Sequence, residues 1–183
     1  MTEVDDATLI QGLKKGDDRL FDALMARYKR PVYRFLRSLT GEEDVAQDLT
    51  QETFVKVYFK GSSVKGENLK AWIFTIATNL ARSEFRKQRI RRYLSWDEVP
   101  EVPDTHPSGD AMDAGLDLGR LLGGLPEKYR IPLVMKEGSG FSYEEIGAVL
   151  KKPVGTVKSL VFRAKAQLRQ EAGWEMGGER AEG

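Results

Sequence analysis

Apolar residues recur at intervals of three and four up to about residue 92, and no stretch alternates with a period of two. Leu9, Ile10 and Leu13 make a short amphipathic turn; Leu20, Phe21, Leu24, Met25 and Tyr28 carry the spacing on, followed by Val32, Tyr33, Phe35, Leu36 and Leu39. Such spacing lines up one face of a helix, so this half of the chain buries itself helix against helix. Pro31 interrupts the pattern, either as a kink or at the first turn of a new helix. A further helix is expected from "EEDVAQDLTQETFVKVYFK", with Val45, Leu49, Phe54, Val57 and Tyr58 on its buried side. After the loop "GSSVKGEN", a last long helix is expected from about Leu69 to Arg92.

Charge divides the chain where periodicity does not. Residues 96–119 hold seven acids (Asp97, Glu98, Glu101, Asp104, Asp110, Asp113 and Asp117), no Lys or Arg, and three prolines. That composition predicts an extended, self-repelling linker. Beyond it Pro126, Gly138 to Gly140 and Lys151 to Pro153 punctuate a second helical set into four short helices. Ala111, Gly115, Gly119 and Gly123 fall every fourth residue, but Asp113, Asp117 and Arg120 lie between them, so close packing in water is expected rather than a membrane interface. The fold class is therefore all-α: two small helical domains joined by an acidic linker. The expected boundaries are 1–93, a linker over 94–114, 115–171, and a flexible tail over 172–183.

Composition excludes several functions. The chain has no cysteine, so disulfides and thiolate metal sites are impossible, and a reducing cytoplasm fits. The opening "MTEVDDATLIQG" has acids where a signal peptide carries bases, and nowhere do about 18 uncharged apolar residues run together. Neither export nor membrane insertion is expected. The single histidine, His106, lies in the linker, and no glycine loop with a lysine is present to cradle a phosphate. No catalytic residues, metal or cofactor are expected, and an enzyme is disfavoured.

In "SYEEIGAVLKKPVGTVKSLVFRAKAQLR", residues 142–169, acids stand only at the start. Ile146, Val149 and Leu150, then Val154, Val157 and Leu160, form an apolar seam on either side of a three-residue break, with small Gly147 where two helices would touch. This is the helix-turn-helix pattern. Off the seam lie Thr156, Lys158, Ser159, Phe162, Arg163 and Lys165, a basic and hydroxylic face at the end that enters a major groove. The segment resembles the fourth conserved region of bacterial sigma-70 transcription initiation factors, particularly the extracytoplasmic-function (ECF) group. It departs at Lys151, where that family usually carries a turn-favouring residue such as glycine, and at Leu160, which replaces a frequently basic residue.

The first half carries the same resemblance. "NLARSEFRKQRIRRY" sets Arg82, Arg86, Lys87, Arg89, Arg91 and Arg92 against Glu84 alone, cations enough to hold phosphates. Upstream, Trp72 and Phe74 read as core, whereas the Asn79 amide can hydrogen-bond a base edge. This stretch resembles the family's promoter-melting helix, which implies that Asn79, with loop residues 62–68 and Arg82, Arg86 and Arg89, holds minus-10 DNA with one base unstacked. Residues 42–52 have five acids and no base. "EDVAQDLTQETFVKVY" is close to the family motif that docks on the clamp coiled coil of RNA polymerase's largest subunit, which implies core-binding roles for Asp48, Gln51, Glu52 and Phe54. Thr156, Lys158, Ser159, Phe162 and Arg163 are the implied minus-35 readers. The resemblance also implies core RNA polymerase, at its clamp and flap, and promoter DNA as partners, with an anti-sigma factor as a possible further one. It implies as well a linker threading toward the polymerase active centre, where its acids stand in for a polyanion. A response-regulator-type DNA-binding protein would explain the helix-turn-helix alone and leave the acidic motif and the Asn79 helix idle.

Overall fold

A computed structural model describes residues 4–66, 68–95 and 113–172, the last with side chains from Leu118 onward. Most of the expected linker, His106 included, and nearly all of the expected tail lie outside the described residues. Eight α-helices are described: α1 (Asp6–Lys15), α2 (Asp18–Thr40), α3 (Glu43–Lys60), α4 (Leu69–Leu94), α5 (Asp113–Gly124), α6 (Glu127–Leu133), α7 (Tyr143–Leu150) and α8 (Val154–Glu171). A 3₁₀ turn, Gly61–Ser63, follows α3, and a π turn, Val134–Gly138, prolongs α6. No strand occurs among the described residues, so the fold is all-α.

Local chemistry sets the helix ends. The Asp5 carboxylate accepts from Thr8 N at 2.7 Å to open α1, and Gly16 closes it at φ 68°, a left-handed conformation that suits a residue without Cβ. Asp17 caps α2 through Arg19 N and Leu20 N. Pro31 lies inside α2, which runs on without a break. An internal proline costs roughly 3 kcal/mol. Here its ring is exposed, while Tyr28, Val32, Phe35 and Leu36 are buried on the opposite face and hold both halves of the helix to one core.

α1, α2, α3 and the first half of α4 pack together. Two threonines are buried in α3 because each hydroxyl donates to a carbonyl of its own helix, Thr50 to Ala46 O at 2.6 Å and Thr53 to Leu49 O at 2.7 Å. α4 is capped by Asn68, whose side chain accepts from Ala71 N at 2.9 Å. It buries Leu69, Ala71, Ile73, Phe74, Ala77, Thr78 and Ala81 and no residue after Ala81, so its last three turns lie against the surface.

The second set of helices does not stand apart from the first. α7 packs on α4, and α5 and the π turn pack on α2. Phe74 connects them, its ring 5.2 Å from Phe35 in α2 and 4.7 Å from Phe141, just before α7. Arg130 in α6 donates to Leu39 O in α2 at 2.9 Å, and to Gly123 O and Leu125 O within its own half. Burial lowers the pKa of this guanidinium, and the carboxylate of Glu127 opposes that shift. Gly119 and Gly123 do not mark the close contact expected of them: a Cβ at either would meet nothing within 4 Å.

Candidate functional site

Three surfaces carry the residues singled out above. The first is α3. Asp48, Gln51 and Glu52 are exposed, and with Glu43 and Asp44 they keep that side of the helix acidic. Phe54 is buried, 3% exposed, so almost none of it meets solvent. Three of these four residues line two separate depressions, and Asp48 lines neither. Gln51 and Phe54 line a groove of about 870 Å³ between α2 and α3, together with Phe21, Met25, Tyr33 and Phe59. Glu52 instead lines a smaller recess of about 240 Å³ on the α4 side.

The burial expected on α3 needs correction. Leu49, Phe54 and Val57 are buried and Val45 partly so, but Tyr58 is 42% exposed and Ala46, Thr50 and Thr53 take the interior places instead. Tyr58 donates to Asp18 at 3.1 Å and meets the Phe21 ring edge-on at 5.0 Å. The Asp18 carboxylate, by accepting that bond, holds the phenol above its ordinary pKa. Val55 and Phe59, which sequence reasoning passed over, are exposed beside it. The available signal is "FVKVYF", which has more apolar residues than one helix face can bury.

The second surface is α4. Asn79 is exposed and lines the 240 Å³ recess with Glu52, Lys56, Lys60, Ser83 and Lys87, so a residue assigned to docking and one assigned to DNA share a depression. Its amide is thus already hydrated. The neighbouring Thr75 hydroxyl donates to Ala71 O, and Thr78 Oγ1 is buried with no hydrogen-bond partner among the described residues. Of the expected core pair, Phe74 is 1% exposed and Trp72 is half-buried against the core. Loop residue Asn68 spends its side-chain oxygen on the α4 cap, and residue 67 lies outside the described residues.

Arg82, Arg86 and Arg89 fall on one stripe of α4, one turn apart. Glu84 answers Lys87 at 4.0 Å and Arg91 at 3.7 Å. A second acid, invisible to local counting, comes from the other half of the chain: Glu127 lies 3.3 Å from Arg82 and 3.8 Å from Arg89.

The third surface is the helix pair α7 and α8. Ser142 and Glu145 form a reciprocal capping box that opens α7, with Glu145 N to Ser142 Oγ at 3.1 Å and Ser142 N to Glu145 Oε2 at 2.8 Å. A Cβ at Gly147 would come within 2.8 Å of the Lys152 carbonyl oxygen, so only glycine lets the turn pass this close. Lys151 closes α7 at φ 53°, a left-handed residue at the position where the sequence departs from the family pattern. The seam is buried at Ile146, Val149, Leu150 and Val157, but Val154 and Leu160 are half-buried, with Val161 and Ala164 completing it.

Thr156, Lys158, Ser159, Phe162 and Arg163 are all exposed, Phe162 by 71%. Ser159 donates its hydroxyl to Gly155 O at 3.1 Å, which leaves its oxygen free to accept. The Arg163 guanidinium beside Tyr129 holds that phenol below its ordinary pKa. Lys165 leaves the outer face: it is half-buried and pairs with Glu137 at 2.6 Å. Among the described residues no helix is long and apolar enough to cross a membrane.

Residues 24–91 match the family model for sigma-70 region 2, and residues 115–168 that for sigma-70 region 4. The chain is 34% identical over 154 residues to the ECF RNA polymerase sigma factor SigE of Mycolicibacterium smegmatis, which spans 81% of this chain and 60% of that relative. It is 32% identical over 177 residues to the ECF RNA polymerase sigma-E factor of Escherichia coli K12, covering 89% and 92% of the two chains. Among solved structures, the sigma factor RpoE of Bartonella quintana in complex with the anti-sigma factor NepR aligns with a TM-score of 0.66 at 33% identity, over 84% of this chain and 96% of that one. CnrH, solved with the cytosolic domain of CnrY, shares the fold with a TM-score of 0.73 at 24% identity, over 93% and 98%. A DNA-binding regulator without a polymerase-docking half would not carry region 2. Two family regions in this order, with the Escherichia coli relative matched over 92% of its length, place the chain in the sigma-70 family of RNA polymerase sigma factors, in its ECF group.

Proposed function

We propose a division of labour along this sigma factor. Asp48, Gln51 and Glu52, with the edge of Phe54 and the neighbouring groove, dock on the clamp coiled coil of core RNA polymerase. Asn79, Arg82, Arg86 and Arg89 hold the minus-10 element, the arginines taking phosphates and the amide one unstacked base. Thr156, Lys158, Ser159, Phe162 and Arg163 read the minus-35 element while the polymerase flap supports that half. RNA synthesis itself belongs to the polymerase, and the factor works in the cytoplasm. An anti-sigma protein, as named for the Bartonella relative, is a partner of the same kind. The acidic linker competes with RNA inside the polymerase cleft.

One observation carries this reading: the acidic, the basic and the mixed polar-aromatic surfaces lie on three different helices, α3, α4 and α8. DNA is repelled by the first and attracted by the second, so a single nucleic-acid partner does not account for both. Transcription in vitro with core polymerase on fragmented genomic DNA, with start sites mapped, tests it. A shared pair of upstream elements at the start sites is expected. DNA binding without any new start site would reduce the protein to a binder.

A further inference from the structure

Glu127 and Arg130 sit one turn apart on α6 and reach in opposite chemical senses toward the first half of the chain. The carboxylate divides its oxygens between two arginines of α4, with Oε1 at 3.3 Å from Arg82 Nε and Oε2 at 3.8 Å from Arg89 Nη2. Arg130 stacks over Phe85, 5.2 Å from its centroid, and donates to Leu39 O, one of the unpaired carbonyls at the negative end of α2. An anion is thus offered to a cationic stripe, and a cation to a helix C-terminus, by residues three apart.

Carboxylate and phosphate oxygens compete for the same guanidinium donors. Two of the three stripe arginines have this carboxylate beside them, Arg82 with 33% of its side chain exposed and Arg89 with 63%, and Arg86 between them has no such acid described beside it. We propose that α6 is an intramolecular latch. In the free protein Glu127 occupies the phosphate-binding stripe of α4 and, with Arg130, holds the region 4 helices closed on region 2. Nucleic acid meets Arg82 and Arg89 without the competing carboxylate only after α6 has moved away. The apolar side of the closure is the Phe74–Phe141 contact, covered by Lys70, whose ammonium lies 4.1 Å from the Phe141 ring centroid. The proposal rests on the reading that the stripe takes phosphates, and its test separates the two.

The chain has no cysteine, so Gln11→Cys and Gln170→Cys, both at exposed positions, give a clean pair for two dyes. Energy transfer between them and the affinity for a mixed-sequence single strand of about ten nucleotides are measured in the full chain. Three backgrounds are compared: the parent, Glu127→Gln and, as a control for net charge away from the seam, Asp22→Asn. Glu127→Gln should lower the transfer efficiency and tighten binding roughly threefold to tenfold, the factor that two partly exposed ion pairs supply. Asp22→Asn should do neither. Glu127→Asp, which draws the charge back by one methylene, should open the chain in part, and circular dichroism checks that each variant keeps its helices. Unchanged transfer overturns the latch, and tighter DNA binding with unchanged transfer overturns it too, since the carboxylate then only repels DNA. A fall in transfer with no DNA binding in any background upholds the latch and removes the phosphate role of the stripe instead.

Discussion

At Lys151 the backbone takes φ 53° and ψ 49°, where a side chain with a Cβ crowds the following carbonyl. No glycine is available to the turn, which must pass Gly147 at the distance the Lys152 carbonyl sets. Lys151→Gly should therefore stabilise the protein by about 1 kcal/mol, the relief of left-handed strain less the glycine's extra freedom when unfolded. A urea titration reads it as a higher midpoint at unchanged slope; an equal or lower midpoint would mean the lysine makes a compensating contact. Asn79 is argued differently because its amide is exposed. Being exposed to water, it gains little from duplex DNA, and in the proposed role it becomes useful once an unstacked base excludes that water. Asn79→Ala should lose promoter opening, read as permanganate reactivity near the start site, and recover on a template whose minus-10 bubble is already unpaired. No recovery on that template would leave Asn79 a purely structural residue.

Helices were legible where one face is apolar and the other is not. α4 follows the expected range almost to its end, with Ala71, Ala77 and Ala81 recording how closely it packs, and the α7–α8 turn was legible from Gly147 and the seam beside it. α3 was misread at Tyr58 because two of its sides are apolar between Phe54 and Phe59, and period alone does not say which one the core takes. The interior goes to the side carrying Thr50 and Thr53, polar residues that pass as core only because their hydroxyls bond back to the helix. The outer side then combines exposed Val55 and Phe59 with Asp48 and Glu52 one turn apart, an apolar strip bordered by charge that suits docking on a protein. Asp48→Arg reverses the sign on an exposed position, so the fold should persist while affinity for core polymerase falls at least tenfold, the result of opposing like charges across an interface. Native-like circular dichroism with unchanged core affinity would remove α3 from the interface.

The acidic linker suggests two domains that fold apart, yet the described helices share one core through Phe35, Phe74 and Phe141. Nothing local in the sequence announces this. Phe141 sits in a short loop just after Gly138 and Gly140, and the acid that answers Arg82 lies 45 positions away, at Glu127. Local patterns report which face of a helix is apolar; they do not report which other helix covers it. The closed arrangement has a thermodynamic consequence. If the two halves are coupled by the ring contact and the Arg130 bonds, the chain should melt in a single transition, although each half has helices enough for a small core of its own. Phe141 is fully buried, and its removal leaves a cavity against Phe74 and takes away the ring beneath the Lys70 ammonium. Phe141→Ala should cost about 3 to 5 kcal/mol, as deletion of a buried ring does. Because the lost contact spans both halves, the calorimetric trace should also split, with the region 4 helices melting first and region 2 near the parent temperature. A single transition moved bodily to lower temperature would show that Phe141 supports one indivisible core, and that the coupling between halves does not depend on this ring.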